Sequence, residues 1–145
     1  MPHLTLQISS LGPLVDIAIG VSQARAEALR KNSLPVPTPL HLRALVDTGA
    51  SITCVDPSIL QQLNLTPTGA IAIHTPSTGN APHNTYQYDI SLVLLHPEVQ
   101  LQIGSIPVIE SQLVVQGIHA LVGRDILSRC LLVYDGRAQT FALGF

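Results

Sequence analysis

One stretch carries residue types that could do acid–base chemistry: Leu45-Val46-Asp47-Thr48-Gly49-Ala50-Ser51. An apolar strand runs into a single carboxylate, and small or hydroxylated residues follow. Strand residues hold a carboxylate rigidly. Gly49 lets the backbone turn and lets other groups approach closely. The Thr48 hydroxyl can hydrogen-bond and fix the loop. This shape marks Asp47 as a catalytic acid or base. A second stretch, Ala120-Leu121-Val122-Gly123-Arg124-Asp125-Ile126-Leu127, repeats the outline of strand, small residue and short helix without the Asp-Thr-Gly.

Other reactive residues fit bland roles better. The six histidines are His3, His41, His74, His83, His96 and His119. None shows metal-ligand spacing with a nearby cysteine or carboxylate, so no metal and no cofactor are expected. His74 and His83 flank a polar connector and could meet a ligand, but surface histidines are commoner. Ser51 lacks the Gly-x-Ser-x-Gly elbow of a nucleophilic serine. Cys54 and Cys130 sit in apolar surroundings and read as inert, reduced thiols, although a bridge between them stays open. Asp16, Asp89 and Asp135 fall in strand or turn contexts as solvated acids. Asp125 reads as a capping or ion-pairing acid.

The elements that must position Asp47 are mostly strands. Alternation predicts strands over residues 4–8 and 14–21, which could pair as an N-terminal hairpin. Residues 22–32 favour a short helix with Ser22 as N-cap and a Glu27–Lys31 surface pair. Pro35, Pro37 and Pro39 then keep residues 33–39 extended. The stretch 22–39 reads as an insertion between strands, within a single domain spanning 1–145. Strands follow at 40–46 and 52–55, and Asp56-Pro57 opens a helical turn over 58–63. Residues 70–74 and 85–95 read as strands joined by a long polar hairpin tip. Residues 99–103 alternate, Gly104 breaks the run, and 106–115 continues it. Asp135-Gly136 marks a final hairpin. Short strands with regular turns predict an all-β barrel or sandwich.

Composition narrows the function classes. The chain has 145 residues, enough for a real core. Hydrophobic residues make up 46% and charged residues 11%, so the chain folds compactly and a partner could cover some apolar surface. A net charge of −2 leaves no basic stripe for phosphates, and aromatics at 3% leave no stacking platform. Nucleic acid is therefore not an expected partner. No apolar run is long enough for a bilayer-spanning helix, and the start of the sequence does not resemble a secretion signal, so a cytoplasmic chain with no membrane partner is expected.

Together the two motifs resemble those of the retropepsin-like aspartic proteases, the family of retroviral proteases and their bacterial and cellular relatives. That family shows an apolar-apolar-Asp-Thr-Gly-Ala stretch, then an apolar-apolar-Gly-Arg-Asp/Asn stretch before a C-terminal helix. Asp-Thr-Gly alone is a weak signal; the pair in this order and with these flanks is specific. The resemblance covers residues 40–145 and leaves 22–39 without a counterpart. It implies a closed acid-protease barrel with one or two short helices and an active site at a homodimer interface. It implies an aspartic endopeptidase that needs no cofactor and takes an extended peptide. Two carboxylates a few ångströms apart cannot both ionise and must share a proton. This chain has one Asp-Thr-Gly, so the second carboxylate must be Asp47 of another copy.

Further roles follow from the resemblance. Thr48 would hydrogen-bond across the dimer, and the Gly49 backbone and Ala50 would meet substrate. Leu121, Val122 and Gly123 would pack behind the loop, and Arg124 would be structural. The acid that retroviral members set against that arginine is absent at Ser51, Ile52 and Thr53, so its partner here is different or absent, with Asp125 as a local candidate. The connector would be a substrate-covering flap, with Thr75, Pro76, Ser77, Thr78 and Gly79 in contact, although Pro76 and Pro82 depart from a glycine-rich tip. Residues 141–145 would join the dimer interface. Ala50 removes a hydroxyl that pepsin-like enzymes carry there, which implies a less acidic working pH. The competing reading is a non-catalytic dimerisation or peptide-binding module on the same fold.

Overall fold

The computed structural model describes residues 1–75 and 79–145. Six strands close into a barrel: β2 (Leu14–Val21), β3 (Leu40–Val46), β8 (Ala120–Val122), β4 (Cys54–Val55), β7 (Leu101–Glu110) and β6 (His83–Leu95), with β2 pairing back onto β6. Closure leaves none of these six with a fully open edge. Strand β5 (Gly69–Ile73) adds to β6 as the outer arm of a hairpin. The alternation of small and branched apolar residues builds the inside. Ile17, Ile19, Ala44, Ile90, Val108, Ala120 and Val122 are all buried there.

A separate three-stranded sheet joins the two ends of the chain. Its order is β1 (His3–Gln7), β10 (Thr140–Gly144), β9 (Leu131–Asp135). The expected N-terminal hairpin does not form. Strand β1 pairs antiparallel with β10, while β2 goes to β3 and β6. The reason is burial: Leu4 of β1 packs with Phe141 and Leu143 of β10, and all three are buried. Each fully buried side chain of this kind contributes roughly 1.5–3 kcal/mol, which a solvated hairpin over residues 9–13 cannot match.

Helix α1 (Gln23–Lys31) starts where Ser22 accepts a bond from the Arg25 N–H at 3.3 Å, and carries Arg30 and Lys31 in its last turn. There the two cations suit the helix dipole. Glu27 does not take Lys31; it accepts from Gln23 one turn earlier, at 3.4 Å. Residues 33–39 run without regular structure. Helices α2 (Pro57–Gln62) and α3 (Arg124–Leu127) are short, and a 3-10 turn covers Val114–Gln116. Gly104 does not end its strand. Strand β7 continues through it, and the register against β6 slips between Ile90 and Leu92. The glycine marks an irregularity in the ladder. Among the described residues, no helix is long and apolar enough to cross a membrane.

Candidate active site

Strand β3 delivers Asp47 to the rim of the barrel. It pairs in parallel with β8, matching Ala44 to Ala120, Leu45 to Leu121 and Val46 to Val122. The two motifs are therefore neighbours in one ladder. The ladder continues one step past the strand, because the Asp47 N–H donates to the Val122 carbonyl at 3.0 Å. The Asp47 side chain folds back on its own loop, where Oδ1 accepts the Gly49 N–H at 2.8 Å. The Ala50 N–H donates to the Asp47 carbonyl at 3.3 Å. Asp47 is half-buried, and Thr48 and Gly49 are exposed.

The second motif clamps this loop from behind. The Arg124 N–H donates to the Ala50 carbonyl at 2.8 Å, and its guanidinium donates to the Thr48 carbonyl at 2.7 Å. Arg124 thus takes a different partner, a backbone oxygen, and not the local candidate Asp125. Asp125 turns the other way. Its carboxylate accepts the Thr53 N–H at 2.9 Å, the Thr53 hydroxyl at 2.7 Å and the Ile126 N–H at 2.9 Å. The Thr53 hydroxyl in turn accepts the Gly123 N–H at 3.1 Å. Thr53 is fully buried. It is the tie between the motifs that residue-by-residue reading missed. Its only signal was a hydroxyl at the foot of an apolar strand, where an unpaired oxygen would be costly.

Gly123 has no room for a side chain. A Cβ there would lie 2.8 Å from the Ile52 carbonyl carbon, 2.9 Å from its oxygen and 3.0 Å from the Ala50 oxygen. These are backbone atoms of the Asp47 loop, so they cannot swing aside as a flexible side chain could.

Beside the carboxylate lies a second, smaller apolar cluster. Cys54, Ile109, Leu113 and Ile118 are its buried members. Half-buried Leu14, Leu45, Ile52 and Leu121 pack on it, as do Ile71 and Ile73 from the β5–β6 hairpin. Leu45 stands two residues before Asp47 and so shares its strand face. The hairpin therefore brings apolar side chains to the cluster that carries Leu45. Thr75 and Ile73 line a cleft toward the loop end of the hairpin with His83, Tyr86 and Glu110. Gly79, expected to meet substrate, is exposed and has a left-handed backbone, φ 59°. Pro76, Ser77 and Thr78 lie outside the described residues.

Neither cysteine is bridged. Burial, with the Asp125 and Asp47 carboxylates nearby, pushes the Cys54 thiol up to about 11. Burial also raises Cys130, opposed by Arg129. Both thiols stay protonated near neutrality and are poor nucleophiles. Among the described residues, no group of three His, Cys, Asp or Glu side chains could hold a metal.

Asp56 ties α2 to the Leu113–Val114 segment. It is 4% exposed and caps α2, accepting the Ser58 N–H at 2.9 Å and the Ser58 hydroxyl at 2.7 Å. Its other oxygen accepts the N–H groups of Leu113 and Val114 at 2.8 and 2.9 Å. Burial by itself would raise this carboxyl, but the bonds from Leu113, Val114 and Ser58 outweigh it and hold Asp56 at about 2. A carboxyl lowered on folding stabilises the fold fully above its unfolded value near 3.8 and loses that contribution as pH falls toward 2. The Asp56→Ala variant removes a helix cap and strands two N–H groups, which should cost roughly 2–4 kcal/mol in urea unfolding at neutral pH. Its stability should also depend less on pH between about 4 and 2 than that of the parent chain.

No family model matches this chain, and no curated protein matches it by sequence. Solved structures do. A retropepsin-like aspartic protease from Rickettsia conorii superposes with a TM-score of 0.60, at 17% identity, over 99% of this chain and 91% of that one. The retroviral protease-like domain of Ddi1 from Leishmania major is more distant, with a TM-score of 0.40 and 13% identity over 86% of this chain and 83% of that one. The fold is retropepsin-like: an all-β closed barrel with a few short helices.

Proposed function

We propose that this chain is a homodimeric aspartic endopeptidase. One observation supports the reading above the others: a half-buried Asp47 stands at the end of a barrel strand, on a loop clamped at Thr48 and Ala50 by Arg124. Rigid presentation of a carboxylate is what a positioned acid or base needs. The fold similarity to the Rickettsia protease covers 99% of this chain.

The chain holds a single Asp-Thr-Gly, so the second carboxylate is Asp47 of another copy. Asp125 is no substitute, since Thr53 and Ile126 occupy it. In the dimer the two Asp47 carboxylates share one proton and hold a water between them. The ionised group takes a proton from the water as its oxygen attacks the peptide carbonyl. The protonated group hydrogen-bonds the carbonyl oxygen as negative charge develops there. The resulting tetrahedral species collapses with return of a proton to the leaving nitrogen. The Thr48 hydroxyl makes no hydrogen bond within the chain among the described residues, which suits a bond across the two-fold axis. Leu45 and Leu121, with Ile71 and Ile73 of the hairpin, favour apolar substrate side chains beside the scissile bond.

Casein cleavage by the parent chain, absent in Asp47→Asn, tests the reading; equal cleavage by both ends it. A well-folded dimer inert toward casein and toward a diverse peptide library would favour a peptide-binding module instead. The pH–rate profile should peak above the range of pepsin-like enzymes, because Ala50 supplies no hydroxyl to stabilise an ionised dyad. A maximum well below pH 4 would contradict that assignment for Ala50.

A further inference from the structure

Strand β6 outruns one of its partners. Its ladder to β7 stops at Gln87 opposite Ile109, while its ladder to β5 runs on to His83 opposite Ile73. Residues 83–86 therefore overhang the end of β7. A cleft of about 410 Å³ lies between this overhang and the segment Glu110-Ser111-Gln112. On the β7 side, the edge of the overhang has no strand partner, so an extended chain can add there by backbone bonds.

The charge of the cleft is one-sided. Glu110 lines it, and no lysine or arginine does. The Glu110 side chain is anchored, because the Tyr88 phenol donates to Oε2 at 3.2 Å. Tyr88 is itself buried in the core. Burial, and then the Glu110 charge, raise the Tyr88 phenol above its usual value, so it remains a donor. The Glu110 main chain is tied as well, since its carbonyl accepts the Thr85 hydroxyl of the overhang at 3.1 Å. Among the described residues, Glu110 forms no ion pair. One neutral phenol offsets only part of a carboxylate's charge. An anionic ligand would meet this charge unopposed, and a wholly apolar one would cover it without a partner.

The remaining walls suit a long cationic side chain. Tyr86 lines the cleft and is 54% exposed, so its ring is open to a ligand. Ile73 adds apolar surface beside it and also packs on the cluster that holds Leu45. A guanidinium or ammonium gains a charge-assisted bond from a carboxylate and a further attraction from an aromatic face. Its aliphatic stem gains from apolar surface.

We infer that this cleft binds the side chain of an arginine or lysine carried by a peptide. The cationic head meets the Glu110 carboxylate, and the stem lies along Tyr86 and Ile73. Arginine is preferred, because a planar guanidinium can stack on the Tyr86 ring while it bonds the carboxylate. The site does not depend on Asp47 being catalytic; a peptide-binding module on this fold would use it equally.

Titration of the ¹⁵N-labelled parent chain with N-acetyl-arginine methylamide tests it. The backbone amides of His83, Tyr86, Glu110 and Ser111 should shift, with a dissociation constant on the order of 1 mM. N-acetyl-norleucine methylamide, which keeps an apolar stem and lacks the charge, should bind at least about 10-fold more weakly. Glu110→Gln should weaken the arginine compound by about 10-fold or more. Its amide oxygen can still accept the Tyr88 bond, so the fold should survive, and circular dichroism checks this. Tyr86→Ala should weaken binding by about 3-fold or more. Equal binding of the norleucine compound, or an unchanged affinity in Glu110→Gln, overturns the site. None of these measurements requires cleavage, so failure of the cleft and failure of the endopeptidase reading are separate results. A peptide library then finds the source of the side chain. A preference for arginine at one fixed distance from the scissile bond, lost in Glu110→Gln, places it on the substrate. Intact binding without such a preference places it on a separate peptide and still supports the cleft.

Discussion

Asp47→Asn is expected to lose about 10³-fold or more in kcat/KM against any peptide the parent chain cleaves. The fold should not change. In the parent, Asp47 Oδ1 accepts the Gly49 N–H at 2.8 Å, and an asparagine oxygen can accept the same bond. The loop then keeps its Arg124 clamp at Thr48 and Ala50. What disappears is the exchangeable proton and the charge. Unfolding in urea should stay within about 0.5 kcal/mol of the parent, the range of a substitution that disturbs no packing. A large stability loss with proportionate activity loss would point to a structural Asp47.

Mixing sharpens the result. If each subunit worked alone, a one-to-one mixture of parent and Asp47→Asn chains would keep about half of the parent activity. If one water needs both carboxylates, random pairing leaves active only the dimers with two parent subunits, about one quarter of the total. The two values are separable in a single titration of mutant into parent, provided that subunits exchange before the assay. A linear decline would exclude the shared dyad even if Asp47→Asn alone were inert.

The extent to which this site was legible beforehand follows from which interactions are local. Asp47, its loop and the Val122 strand were visible because short apolar runs announce strands and because glycine marks close approach. The parallel pairing of the two motifs, Leu45 on Leu121, then matched their similar outlines. Pairing partners across the chain were not visible. Alternation at residues 4–8 states which side chains face inward, but says nothing of whether Leu4 meets β2 or the distant Phe141. Backbone acceptors were invisible too. For Arg124 the residue types offered only Asp125 as a local candidate partner, whereas the Thr48 carbonyl it reaches is a feature every residue has. The 3-10 turn at Val114–Gln116 was hidden by an apolar run that looked like strand; the N–H groups that Asp56 collects there decide its shape.

Gly123→Ala should be the most damaging single methyl in the chain. The added Cβ would sit under 3.0 Å from two Ile52 backbone atoms and 3.0 Å from the Ala50 oxygen. Nothing flexible is in the way, so relief must come from separating β8 from the loop. That movement pulls on three bonds at once: Gly123 N–H to Thr53, Arg124 N–H to Ala50 and Asp47 N–H to Val122. Overpacking against ordered backbone costs roughly 1–3 kcal/mol, and loosening these bonds adds to it. The stability loss should therefore reach at least about 2 kcal/mol in urea unfolding. Activity should fall further than stability alone explains, by about 10²-fold or more at temperatures where the variant is fully folded, because an error of 1 Å in a catalytic group costs that much. The backbone of Gly123 is extended, φ −90° and ψ −177°, so alanine brings no conformational strain of its own there. The whole effect is steric. Trimming the loop side of the contact cannot rescue it, since the obstructing atoms are main chain. A Gly123→Ala variant with parent stability and parent kcat would mean that β8 and the Asp47 loop are not packed as tightly as their distances require.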